Sequence, residues 1–220
     1  YRIDHYLAKE INQNILNFRF ANTMFEPAWC ADYIESISLR LNETIGIEDR
    51  ATFFDGIGSW RDVGANHLLQ LLSLLTMEQP ISLSADDIRQ ARAELLSKIS
   101  IPSKDEVVAR SFRAQFYGYR GIDIVDNDSD TETYFKVALE IDDERWKGIP
   151  IYLEAGKKLG SVDKKARVEF KHPHPCLCPP GMSHINNEVT FQLGPTEEIE
   201  ITFMAQKSSL EYGLVKESFE

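Results

Sequence analysis

The stretch Asp4-His5-Tyr6-Leu7-Ala8-Lys9 places a carboxylate, an imidazole, a phenol and an ammonium within six consecutive residues. On a helix, His5 and Lys9 are four apart and share a face. Two such groups side by side grip a phosphate or another anion. Asp4, on a neighbouring face, is then free to orient a base that arrives from elsewhere. A solvated helix start carries the same charge mix without any site, and spacing alone does not separate the two. His67, in a helix otherwise full of leucines, poses a similar choice. It is either a buried histidine bonded to a backbone carbonyl or a base poised near neutral pH.

The elements that must position these groups follow from periodicity. Residues 4–25 read as a helix with apolar Leu7, Ile11, Ile15, Phe18 and Met24, stopped by Pro27. Ile34 to Leu41 alternates, with a slip in the middle, and predicts a strand ending near Glu43. A helix over 59–77 is apolar nearly all round and belongs in the interior. Another over 85–99 has Ser84 as N-cap and Asp86 and Asp87 in its first turn. Beyond Pro102 the character changes: 107–117, 134–141, 149–155, 166–171, 188–193 and 198–205 read as strands, and the acidic stretch 123–132 as an exposed loop. Helices first and strands later, without βαβ alternation, predict an α+β fold, N-terminal helices packed on a large, mainly antiparallel sheet.

Composition narrows the function classes. The 220 residues are 43% hydrophobic and 27% charged, with a formal net charge of -11, so no broad basic footprint exists for nucleic acid. Local lysines and histidines still serve a small anionic substrate, because charges act over short range. No apolar run approaches the ~20 residues of a membrane span. Three cysteines, Cys30, Cys176 and Cys178, suggest a reducing compartment rather than a disulfide framework. Cys176 and Cys178 lie near His172 and His174, which invites a zinc reading. The CxC spacing and the prolines at 173, 175, 179 and 180 point instead to an irregular loop without metal.

Ile3 to Lys9 resembles the IDHYLGK signature of glucose-6-phosphate dehydrogenases, with Ala8 in place of glycine. The similarity continues through Leu16 to Asn22 (LxxLRFAN in the family), Phe25-Glu26-Pro27, Trp29 and Arg50 to Asp55. It peaks at Arg61 to Gln70, close to RDxxQNHLLQ, although Gly64 and Ala65 depart from that pattern. The resemblance implies oxidation of glucose 6-phosphate at C1 to 6-phosphogluconolactone, with hydride transfer to NADP or NAD, in the oxidative pentose phosphate pathway. It implies His67 as catalytic base with Asp4 as its partner. His5, Tyr6, Lys9 and Lys157 would hold the phosphate, and Glu43 and Asp62 the sugar hydroxyls. Lys9 would also face the coenzyme.

By the same resemblance, residues 1–220 form an incomplete C-terminal-type domain. The Rossmann coenzyme domain and the extreme C-terminus are expected to lie outside it, since no glycine-rich dinucleotide fingerprint occurs in the sequence. The chain alone is then expected to be inactive, and the intact protein a cytoplasmic homodimer or tetramer. A stand-alone phosphosugar-binding or oligomerisation module is the competing reading.

Overall fold

The first departure from the sequence reading falls at the N-terminal helix. In the computed structural model, which describes residues 4–47, 50–176, 178, 184–206 and 214–219 (backbone alone for 206 and 214–219), helix α1 spans only Glu10–Phe20. Residues before it form successive turns. The Asp4 carboxylate accepts a hydrogen bond from the Tyr6 amide (2.9 Å), a local side-chain-to-backbone bond that competes with helix. The Asn12 side chain takes the Tyr6 carbonyl. His5 and Lys9 therefore do not share a helix face.

Strand β1 (Ile34–Asn42) buries Ile37, Leu39 and Leu41, and the slip in its alternation is a register shift between Ile34 and Ser36. Helix α2 (Ala51–Phe54) precedes a wide π-helix, Trp60–Leu68, which runs directly into α3 (Leu69–Thr76). Helix α4 (Ala85–Ser97) begins at Ser84, whose side chain accepts from the Asp87 amide as expected. Residues 107–110, expected to open a strand over 107–117, belong instead to helix α5 (Lys104–Arg110). Ser103 and Glu106 close a reciprocal capping box that satisfies its first amides. Only β2 (Ser111–Ala114) is extended there.

The remaining strands are β3 (Tyr134–Leu139), β4 (Ile151–Gly156), β5 (Asp163–Phe170), β6 (Glu188–Gly194), β7 (Glu197–Gln206) and β8 (Leu214–Phe219). β8 is absent from the sequence reading. They form one eight-stranded sheet in the order β2-β3-β4-β1-β5-β6-β7-β8. Every pairing is antiparallel except β1 with β4. The architecture is thus α+β with a mainly antiparallel sheet. Alternate residues, such as Leu39, Leu153, Val168 and Phe191, join α1, the π-helix and α3 in one core. Each such side chain contributes about 1.5–3 kcal/mol by leaving water.

A helix C-terminus inside a core needs partners for its last carbonyls. At α3 the Met77 amide takes Ser73 O (2.9 Å) and Arg19 Nη1 takes Leu74 O (3.0 Å). Trp29 Nε1 takes Leu75 O (2.7 Å) and Trp146 Nε1 takes Thr76 O (2.9 Å). Two buried tryptophans and a buried arginine therefore anchor the far end of the helix that carries His67. At the near end, Glu132 receives the Trp60 amide on Oε1 and the Ser59 amide on its backbone carbonyl, 2.9 Å each. The acidic loop expected to be merely exposed thus caps a helix, and its Val125 is buried.

Gly64 explains one departure from the family pattern. A Cβ at this position would lie 2.5 Å from Trp60 Cε3 and 2.7 Å from Phe135 Cζ, whose rings meet edge to face at 5.2 Å. Gly64→Ala is expected to lower stability by about 1–3 kcal/mol through overpacking. Urea denaturation checks this, and an unchanged midpoint would mean that Trp60 swings aside at no cost.

Candidate functional site

The Asx turn at Asp4 and the π-helix meet face to face. Wide π turns are uncommon and often mark functional positions. This one carries Asp62, Asn66 and His67. Asp4 Oδ1 and Oδ2 lie 2.9 and 3.0 Å from His67 Nδ1. The carboxylate accepts from Nδ1–H, which leaves Nε2 as the nitrogen with a free lone pair. One carboxylate therefore sets both the backbone of the turn and the tautomer of the histidine.

Burial pushes the pKa of His67 below the ordinary histidine value; the charge of Asp4 and its hydrogen bond oppose that shift, with Asp62 adding a smaller pull. The ring is consequently neutral near pH 7 and able to accept a proton. The Tyr6 ring packs against both histidines, 4.8 Å from His5 and 4.6 Å from His67, and the two imidazoles meet edge to face at 4.7 Å. Its hydroxyl is pushed up to about 12 by burial first, then by the negative charges of Glu43 and Asp4. Tyr6 is therefore a hydrogen-bond donor at any physiological pH.

Glu43 follows the end of β1, and both of its oxygens are held by lysines. Lys157 Nζ is 2.5 Å from Oε2 and Lys164 Nζ is 2.6 Å from Oε1. Burial alone would raise the Glu43 pKa, but hydrogen bonds and charge from the two lysines outweigh it and hold the carboxyl ionised. One carboxylate against two ammoniums leaves a single positive charge for an incoming anion. Lys157 is buried, immediately after β4, the parallel neighbour of β1. Lys164 sits on β5 opposite Leu41. That register was not readable from the sequence, where the lengthened loop after Lys157 obscures the position of Lys164.

Asp62 faces Arg50, at 3.4 Å. Lys9 is placed differently from the sequence expectation. Its Nζ donates to Leu193 O (2.8 Å) and Glu197 Oε1 (2.6 Å), and it stands 5.9 Å from the Tyr6 ring centre. Two of its three N–H donors are thus taken within the chain, and Glu197 offsets its charge. Arg92, absent from the residues singled out in the sequence, lines a groove with Asp4, Asn66 and Gln70; burial lowers its pKa and the charge of Asp4 opposes that shift. Asp4, His5 and His67 offer donor atoms within 4.8 Å of one another, but both Asp4 oxygens are already engaged with Nδ1. The constellation suits proton transfer, with the Lys157–Glu43–Lys164 cluster supplying one net positive charge.

Comparison with known proteins agrees with this geometry. A family model described as "Glucose-6-phosphate dehydrogenase, C-terminal domain" matches residues 16–219. The chain is 40% identical to glucose-6-phosphate 1-dehydrogenase 6, cytoplasmic, of Arabidopsis thaliana, over 98% of this chain and 41% of the relative. It is 39% identical to the glucose-6-phosphate 1-dehydrogenase of Dictyostelium discoideum, over 96% of this chain and 43% of the relative. A solved glucose-6-phosphate dehydrogenase in complex with its substrate glucose-6-phosphate superposes with a TM-score of 0.86 at 33% identity, covering 100% of this chain and 46% of that one. The chain thus spans less than half the length of these relatives. It belongs to the glucose-6-phosphate dehydrogenase family, matching the C-terminal domain.

Proposed function

We propose that the protein carrying this chain oxidises glucose 6-phosphate at C1 to 6-phosphogluconolactone, and that His67 is the catalytic base. The observation that carries this reading is the Asp4–His67 pair, packed against Tyr6, whose hydroxyl feels the charge of Glu43 in the two-lysine cluster. His67 Nε2 takes the proton of the C1 hydroxyl as the hydride departs from C1, and the former hydroxyl oxygen becomes the lactone carbonyl. Asp4 stabilises the imidazolium that forms and holds its ring in place. The phosphate is bound by His5, Tyr6 and Lys157, with Lys164 added to the set, while Glu43 and Asp62 accept hydrogen bonds from ring hydroxyls.

NADP, or NAD, supplies the hydride acceptor when bound. It is held mainly by residues outside this chain, as the resemblance implies, with Lys9 at its edge. A cytoplasmic location fits the sparse, unpaired cysteines and the cytoplasmic names of the Arabidopsis and Solanum tuberosum relatives. A homodimer or tetramer rests on the resemblance alone.

Calorimetric titration with glucose 6-phosphate, with glucose as control, tests the substrate assignment. Saturable binding selective for the phosphosugar is expected. Lys157→Ala removes a charge-assisted hydrogen bond of about 1.5–3 kcal/mol, so affinity should fall about 10- to 100-fold. Equal affinity for glucose and glucose 6-phosphate would sink the assignment. Tight phosphosugar binding by an intact gene product that never reduces a nicotinamide coenzyme would favour the stand-alone binding module.

A further inference from the structure

The loop between β5 and β6 holds a second cluster that the proposed reaction does not use. His172 follows β5, Cys176 and Cys178 lie in the loop, and His184 precedes β6. We propose that these four residues form a tetrahedral zinc site. His172 Nε2 lies 3.1 Å from Cys176 Sγ, 3.5 Å from Cys178 Sγ and 3.3 Å from His184 Nδ1. Cys176 Sγ is 3.4 Å from His184 Nδ1, and all four donor atoms fall within 4.8 Å of one another.

The four contacts of 3.1–3.5 Å lie close to the edges expected of a metal tetrahedron. Zinc bonds of ~2.3 Å to sulfur and ~2.0–2.1 Å to nitrogen give N···N edges of about 3.3 Å and N···S edges of about 3.5 Å. Hydrogen bonding alone explains the arrangement poorly. His172 Nε2 lies within contact distance of three polar atoms at once, and a ring nitrogen makes only one good hydrogen bond, as donor or as acceptor. A single cation satisfies all four donors together.

The remaining contacts fit ligation. The Cys178 amide donates to Cys176 Sγ at 3.3 Å, an interaction that stabilises thiolate over thiol. Two sulfurs and two imidazoles select zinc over oxygen-seeking magnesium or calcium. Four protein ligands leave no open position, so the site is structural rather than catalytic. It joins His172, just after β5, to His184, just before β6, at the open end of this strand pair. Below it, the Phe170 amide bonds Asn187 O (2.9 Å) and Asn186 Nδ2 bonds Glu169 Oε1 (3.1 Å). Pro173 and Pro175 restrict the chain between ligands and reduce the entropy lost on ordering it.

His174, the histidine that the sequence reading weighed, is not in the cluster; His184 takes its place. That exchange supplies a control. The whole protein, purified without chelators, is analysed for metal by mass spectrometry, then stripped and titrated with Zn²⁺ and Co²⁺ in competition with a chromophoric chelator. About one zinc per chain is expected, with a thiolate-to-cobalt absorption band and the intense visible bands of tetrahedral Co²⁺. Cys178→Ser and His184→Ala should each abolish that signature at equimolar cobalt, and His174→Ala should leave it unchanged. Wild-type titration decides the matter even where a variant fails to fold. No stoichiometric uptake of either ion, a Cys176–Cys178 disulfide that persists under reducing purification, or loss of the signature only in His174→Ala overturns the proposal.

Discussion

His67→Asn in the intact enzyme is expected to lower kcat about 10²- to 10⁴-fold, the range for losing a positioned general base, with KM nearly unchanged. In the proposed mechanism the side chain meets only the reacting hydroxyl, so ground-state affinity, assigned there to Lys157, Tyr6 and His5, should survive. Asp4→Asn is the informative companion. It removes the charge that opposes the burial-driven drop in the His67 pKa. Turnover should fall by up to about 10⁴-fold, since the imidazolium loses its partner and the tautomer is no longer fixed. The pH profile should also move. If His67 is the base, kcat/KM of the wild type should rise with pH as His67 loses its proton, with the acid limb below the ordinary histidine range because burial disfavours the charged ring. Without Asp4 the limb should shift to still lower pH. A limb that stays in place, or moves upward, would show that Asp4 does not act on His67. A His67→Asn enzyme that keeps near-normal kcat would remove the base assignment outright.

Much of this site could be read from residues close together in the chain. The leucine-rich helix around His67 and the strands with clear alternation lie where periodicity places them, because side-chain period and burial are directly coupled there. The failures have local or long-range causes. At residues 4–9 apolar spacing suggested helix, yet one carboxylate bonding the amide two residues on was enough to hold a turn. At 107–110 the valines suggested strand, but Ser103 and Glu106 three residues apart were the stronger signal, and a capping box is legible once sought. Lys164 and His184 could not be placed in the same way. Lys164 reaches Glu43 only through the antiparallel register of β1 with β5, and His184 meets His172 only because β5 and β6 pair. Register between strands is decided by the whole sheet. Lys9 is a different case: its neighbours in sequence are unchanged, but Glu197 on β7, 188 residues away, holds its ammonium.

Glu26→Gln should be the most destabilising of the polar substitutions considered, by about 3–5 kcal/mol. Arg19 is 0% exposed, and its Nε and Nη2 donate to Glu26 at 3.2 and 3.0 Å. Arg145 donates to the same carboxylate, bonds Glu78 at 2.8 Å and holds the Trp29 carbonyl at 2.8 Å. Burial pulls the Arg19 pKa down to about 10 even with Glu26 present. Neutralising Glu26 leaves a buried guanidinium beside a second arginine with no shared counter-charge, so desolvation is no longer offset. Total stability is typically about 5–15 kcal/mol, which makes such a loss large. Glu144→Gln provides the contrast, because the Lys147–Glu144 pair is 73% and 89% exposed and exposed pairs contribute little. Urea denaturation of both variants checks the difference; equal, small shifts would show that water reaches Arg19. The consequence extends beyond stability. Arg19 also closes the Leu74 carbonyl at the end of α3, and Arg145 positions the backbone of Trp29, which closes the next one. Loosening this end frees the helix whose other end aims His67 at Asp4, so Glu26→Gln should lower kcat as well, although neither arginine touches the proposed site.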